Sequence, residues 1–280
     1  MLQYVIWDVN PEIFHIGAFS VRWYGLLFAL GFLIGMQIMT HIFKVERKPI
    51  AETDSLLIYM VVSTIVGARL GHFLFYEPEV LLRNPLEVIL PPFAGLASHG
   101  AFIGIMIGLW LYSRRQESRA TGQSFLWVAD RIVITVALAG ASIRFGNLMN
   151  SEIVGRPTDV SWAFVFMNNN EYAKIPRHPA QLYESLSCLV LFFFLMWFWN
   201  RRKERTPQGS MMGIFLIWVF TLRFFYEYIK EDQVAKEASM YLNIGQQLSI
   251  PVVLVGLFFL IRSYRNPAPK LEDEPKTINS

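Results

Sequence analysis

The chain has 280 residues, of which 54% are hydrophobic and 17% charged, with a formal net charge of +3 and a mean hydropathy of +0.36. Soluble domains carry roughly 25% charged residues, so this composition excludes an ordinary water-solvated globule and makes a bilayer the main solvent. The single cysteine, Cys188, excludes an intramolecular disulfide and a multi-cysteine metal site; no cofactor, no metal and no nucleic-acid partner are expected.

Read from the start, "MLQYVIWDVN" has no basic n-region, so no cleavable signal peptide is expected and the first apolar run inserts the chain. Seven runs of about 20 apolar residues follow, at 18–43, 56–76, 93–112, 126–145, 180–200, 209–229 and 240–261. The expected fold is an all-α polytopic membrane protein of seven transmembrane helices. Fourteen basic residues follow spans one, three, five and seven (Lys44 to Lys48, Arg114 to Arg119, Arg201 to Arg205 and Arg262 to Lys276), against seven on the other side. Because Lys and Arg in short loops stay cytoplasmic, the N-terminus is expected outside and the C-terminus inside.

Residues 1–265 then form one seven-helix catalytic domain with a small external cap at about 146–179, where "DVSWAFVFMN" has the content of a short strand or hairpin. "NPLEVILPPF" is too short to span and is expected along the outer interface. Residues 266–280 are polar and proline-containing, and are expected to be a disordered cytoplasmic tail.

The polar residues that the spans retain carry the functional information, because an Arg near a helix centre costs about 2.5–3.5 kcal/mol on insertion scales and therefore faces a cavity or a partner. Tyr24, Arg69, His99, Arg144, Glu184, Arg223 and Gln246 all fall within about 10 Å of the outer end of their runs at the 1.5 Å helical rise. Seven polar groups at similar depth on seven spans argue for a wet, positively charged cavity open to the outer leaflet, suited to an anionic lipid headgroup. Each also has a plainer reading. Arg223 and Glu227 are spaced to neutralise one another along a helix face; Arg69, His72 and Tyr76 share a face and can form an interfacial belt; His99 can simply pack or hydrogen bond. Arg131 lies near the inner end and is read as a structural residue that snorkels to the cytoplasm.

Seven fragments in order, "RWYG", "GARLGHFLFY", "SHGAFIG", "RFGNLMNSEIVGRP", "HPAQLYE", "RFFYE" and "GQQLSIP", span roughly residues 15 to 262. In them the chain resembles the phosphatidylglycerol:prolipoprotein diacylglyceryl transferases of bacterial lipoprotein maturation. The resemblance implies an inner-membrane enzyme, its site facing the outer leaflet, that moves the diacylglyceryl group of phosphatidylglycerol to the lipobox cysteine thiol of a prolipoprotein signal peptide, releasing glycerol 1-phosphate. It implies catalytic roles for His99, Arg144 and Arg223, with His99 either the base for the thiol or a lipid-positioning donor. It also implies functional roles for Asn147, Glu152 and Gly155 and lining by Tyr24, Gln181, Glu184, Glu227 and Gln246; Arg69, by its depth and charge, and Asn150, as a further donor and acceptor after span four, are expected to bind substrate on the reading of the residues themselves. Ile143 and Ser151 stand where that family usually has glycine. A lipid-binding protein or a transporter without transferase activity is the alternative, and a seven-span receptor would explain topology alone.

Overall fold

The computed structural model describes residues 4–17, 19–84, 86, 95, 97–172, 174–231 and 241–265. Most of "NPLEVILPPF" and the whole tail from 266, with the expectations made for them, lie outside these residues. By its contacts the chain divides into two compact units, Met1–Ile38 with Asp130–Ser280, and Met39–Ala129.

The apolar runs are helices: α1 (Trp23–Val45), α2 (Glu52–Phe75), α4 (Ser98–Arg114), α6 (Phe125–Met149), α7 (Ala180–Arg202), α8 (Ser210–Tyr226) and α9 (Ile244–Arg265), with short helices α3 (Pro78–Arg83) and α5 (Gln116–Ala120) between. Five of the long helices, α1, α2, α6, α7 and α9, are long and apolar enough to cross a membrane. The protein is thus a mostly helical, multi-pass membrane protein. α4 and α8 stop at 17 residues, about 25 Å at 1.5 Å per residue, at the bottom of the spanning range. Among the described residues, the expectation of seven full-length spans is therefore met by five. α8 is shortened at both ends, by Gly209 at φ +93° before it and by a tight turn at 226–230 after it.

The chain also contains strands that an all-α reading omits. β1 (Val5–Trp7) pairs in parallel with β4 (Phe164–Phe166), and β2 (Glu12–Ile16) forms an antiparallel hairpin with β3 (Phe19–Arg22). The first helix therefore starts at Trp23 rather than at 18, because Arg22 is held in the hairpin opposite Glu12 and the Trp23 amide donates to the Pro11 carbonyl. The "FVF" strand is present as expected, and its partners are β1 on one side and Arg177 on the other, where Phe164 and Arg177 exchange two 2.9 Å backbone hydrogen bonds. Phe164 and Phe166 close a small core with Leu148 and Val154, against which Trp7, Phe145, Tyr172 and Leu182 pack.

In the first unit, the Asp130 carboxylate accepts from the amides of Gly209 (2.7 Å) and Met212 (2.9 Å), so it caps the N-terminus of α8 from another helix. Arg131 beside it is fully buried and reaches the Lys203 carbonyl at 3.5 Å. The expected snorkelling is corrected: with a carboxylate and a carbonyl at hand, the guanidinium stays inside, although its role is structural as read. In the second unit, α2 and α4 meet along glycines. A Cβ on Gly67 would stand 2.5 Å from the Gly100 carbonyl oxygen, and one on Gly71 2.5 Å from the Gly100 Cα. Only hydrogen side chains allow this approach.

Gly100→Val is expected to force the α2–α4 pair apart and to lower stability by about 1–3 kcal/mol or more, as overpacking does; thermal unfolding in detergent measures it, and an unchanged midpoint would show that the two helices separate without loss.

Candidate active site

The polar residues of the first unit gather at one end of its helices. Arg144 lies in the second-to-last turn of α6, Glu184 in the first turns of α7, Arg223 in the last turn of α8, Gln246 in the first turn of α9 and Tyr24 at the start of α1. Each stands within about 8 Å of a helix end along the axis. The common depth read from sequence thus has a simple cause for these residues: they are terminal-turn residues.

They form one alternating chain of charges. The Arg144 Nε meets Glu184 Oε2 at 2.6 Å. Glu184 Oε1 contacts the ammonium of Lys230, which also lies 4.0 Å from Glu227 Oε1. Glu227 in turn meets the Arg223 Nε at 3.7 Å and accepts from the Asn243 Nδ2 at 3.0 Å. The intrahelical Arg223 and Glu227 pair anticipated from spacing is therefore present, but Glu227 is shared three ways. The interior of the chain is dry and its ends are not: the Lys230 side chain is 6% exposed, against 32% for Arg144 and 44% for Arg223. Two guanidiniums with carboxylates behind them and open space in front are built to receive an anion.

A second set of contacts hangs from Arg144. Its Nη1 donates to Asn147 Oδ1 at 3.4 Å, and Asn147 Nδ2 donates to Glu152 Oε1 at 2.7 Å, which also accepts from Asn150 Nδ2 at 3.2 Å. The buried Gln181 donates from Nε2 to the Glu152 carbonyl at 2.5 Å. Among the described residues, the buried Asn150 Oδ1 and Gln181 Oε1 atoms meet no hydrogen-bond donor; each can accept from a hydroxyl. Tyr24 packs on Gly146, where a Cβ would come within 2.9 Å of its ring. Gly155 passes so close to His178 and Ile229 that its own Cβ would overlap the His178 carbonyl at 2.5 Å, which explains a glycine there by packing. Gln246 and Asn243 cap one another reciprocally, and Gln246 Nε2 also reaches the Phe224 carbonyl at 3.3 Å.

The family model for prolipoprotein diacylglyceryl transferase matches residues 11–262 of the chain. This protein belongs to the prolipoprotein diacylglyceryl transferase family. It is similar to the phosphatidylglycerol-prolipoprotein diacylglyceryl transferase of Chloroherpeton thalassium, at 43% identity over 94% of this chain and 96% of the relative. The enzymes of the same name from Tolumonas auensis and Porphyromonas gingivalis are 42% and 44% identical, each over 94% of this chain and over 99% and 96% of their own lengths.

Two residues expected in the transferase site belong to the second unit. His99 is exposed on the first turn of α4, its ring edge-on to Phe75 with centroids 4.9 Å apart and 5.9 Å from Tyr76. Arg69 is buried, with its guanidinium over Phe73 at 4.8 Å and its Nη1 3.4 Å from the Gly95 carbonyl. His72 lies 3.7 Å from Glu77 and stacks against Tyr76, as an interfacial belt would.

Lys230 is the residue that sequence reading passed over. It counted only as one of the basic residues outside the spans, yet it lies i+3 from Glu227, and that spacing after a retained Arg and Glu was the available clue. Lys230→Met is expected to leave the buried Glu184 and the part-buried Glu227 with no ammonium between them and to cost about 3–5 kcal/mol. Lys230→Arg should recover part of that loss. Unfolding midpoints of the two variants in detergent decide it, and equal stability of Lys230→Met and parent would show that the carboxylates are neutral or separately compensated.

Proposed function

We propose that this chain transfers the diacylglyceryl group of phosphatidylglycerol to the lipobox cysteine of prolipoproteins, the first step of lipoprotein maturation. The observation that carries the reading is the pair of half-exposed guanidiniums, Arg144 and Arg223, held at the two ends of a largely buried carboxylate-lysine-carboxylate bridge in a member of the prolipoprotein diacylglyceryl transferase family.

The chemistry demands such a pair. The thiolate sulfur attacks the glyceryl carbon next to the phosphate ester oxygen, the carbon–sulfur bond forms as the carbon–oxygen bond breaks, and the electron pair leaves on glycerol 1-phosphate. A phosphodiester with one negative charge becomes a monoester carrying more, and preorganised cations stabilise that developing charge. Carboxylates bound to the far side of Arg144 and Arg223 fix their donors in place before the charge appears. Glu152, Asn147, Asn150 and Gln181 offer acceptors and donors to the glycerol hydroxyls of the headgroup, and Tyr24, Gly155, Glu184, Glu227 and Gln246 line or support the binding region; Arg69 is proposed for substrate binding on its retained charge alone.

The thiol, with an ordinary pKa of about 8.5, must lose its proton. His99, the histidine of the "SHGAFIG" fragment, is assigned as the group that takes it; it is exposed on the first turn of α4, beside Phe75 and Tyr76. In this reading α4 and α8 also cross the bilayer, at 17 residues each. This completes seven spans, with the N-terminus outside and the site facing the outer leaflet of the bacterial inner membrane.

A synthetic lipobox peptide incubated with the purified protein and phosphatidylglycerol should gain a diacylglyceryl thioether, seen as a mass increase resistant to hydroxylamine. Arg144→Ala should lower the rate about 10²–10³-fold, as removal of a transition-state donor does. His99→Ala should lower the single-turnover rate while leaving lipid binding nearly intact. An unmodified peptide with folded protein and bound lipid would mean a lipid-binding protein rather than a transferase, and full-rate turnover by His99→Ala would remove the histidine from the chemical step.

A further inference from the structure

The last turn of α6 runs into a conformation that its own residues disfavour. Glu152 N donates to the Asn147 carbonyl at 3.1 Å and Ser151 N to the Leu148 carbonyl at 3.0 Å, the two bonds of a Schellman cap, whose left-handed position is ordinarily glycine. Here that position is Ser151, at φ +54°, and two residues later Ile153 stands at φ +56°. A β-branched residue in the left-handed region is a true outlier that persists only where its surroundings over-determine it. Glu152, which orders Asn147 and Asn150, lies between these two residues.

The surroundings that do so can be named. The Ser151 carbonyl accepts from Asn169 Nδ2 at 2.7 Å. Asn169 is buried and is itself fixed, because its Oδ1 accepts from the amides of Glu171 (3.0 Å) and Tyr172 (2.8 Å). With two N–H donors facing its oxygen and a carbonyl facing its nitrogen, the amide has one orientation. The next carbonyl, that of Glu152, is held by Gln181 at 2.5 Å. Both carbonyls that bracket the Glu152 φ and ψ angles are thus gripped by side-chain amides, one from the loop after β4 and one from α7.

We propose that Asn169 is a positioning residue for the transferase: it clamps the left-handed Ser151 and thereby aims the Glu152 carboxylate at Asn147 and Asn150. Without the clamp, Ser151 relaxes towards negative φ and Glu152 swings away from the asparagines. A glycine at 151 takes the same conformation at no steric cost, so it makes the clamp dispensable. The inference rests on the proposed function for its kinetic readout only.

The test uses the full-length protein in phosphatidylglycerol-containing nanodiscs, comparing parent, Asn169→Asp, Asn169→Ala, and each combined with Ser151→Gly. Asn169→Asp keeps the acceptor for Glu171 and Tyr172 and removes the donor to Ser151. It is expected to raise KM for phosphatidylglycerol about fivefold or more, with a smaller change in kcat, and to speed amide exchange across 151–154. Adding Ser151→Gly should return KM to within about twofold of parent and restore the exchange protection. Parent KM in folded Asn169→Asp, or a Ser151→Gly combination no better than the single variant, overturns the proposal. Should the parent form no adduct, the functional reading fails, and the exchange data alone then decide: protection at 151–154 that is indifferent to Asn169 removes the clamp.

Discussion

Charge pairing in a poorly hydrated environment is the constraint on which the first unit depends. An ion taken out of water loses several kcal/mol of solvation, and only close partners with satisfied hydrogen bonds offset it. The run from Arg144 through Glu184, Lys230 and Glu227 to Arg223 meets that demand by alternating sign, and it draws on α6, α7, α8 and the turn after α8. No single helix supplies a neutral set. The ionic chain therefore fastens three helix ends to one another while leaving a guanidinium partly open at each extremity. Stability and anion binding are here two aspects of one arrangement, since the carboxylates that make the arginines tolerable also fix the direction in which they point.

The same end of the helices is fastened a second time from outside. Trp7 Nε1 donates to the Leu148 carbonyl at 3.0 Å, which also accepts within the cap, and Asn169 donates to that of Ser151, so carbonyls at and just past the end of α6 are held from β1 and from the loop after β4. Phe164 and Phe166 add apolar burial under these bonds. The small strands are thus the scaffold that gives the end of α6 a fixed direction.

What could be read from the sequence divides along physical lines. The helices were legible because an apolar run of 20 residues has few other fates, and Arg144, Glu184, Arg223 and Glu227 were legible because a retained charge in such a run is costly enough to need a reason. The β1–β4 pair was not, because three residues pairing with three others 159 positions away leave no local pattern. Helix length failed at α8, where hydrophobicity continues past the points at which a glycine and a turn end the helix. Lys230 escaped notice because a lysine outside the apolar runs looks like a solvated one until its burial is seen. Arg131 was judged by its depth, whereas the neighbouring Asp130 and the Lys203 carbonyl decide its position. Ser151 was visible as a departure from the family's glycine, but the left-handed backbone that makes the departure meaningful is a property of the folded turn.

The parallel pairing of β1 with β4 also bears on how the protein is made. Val5 leaves the ribosome 159 residues before its partner Phe164, an interval of about 8–30 s at synthesis rates of 5–20 residues per second. For that time β1 lacks β4, and Trp7 lacks the Leu148 carbonyl until 141 further residues have been made. β1 is thus fixed only once β4 has been made, and the bond from Trp7 to the end of α6 belongs to a pairing that closes over 159 residues of chain.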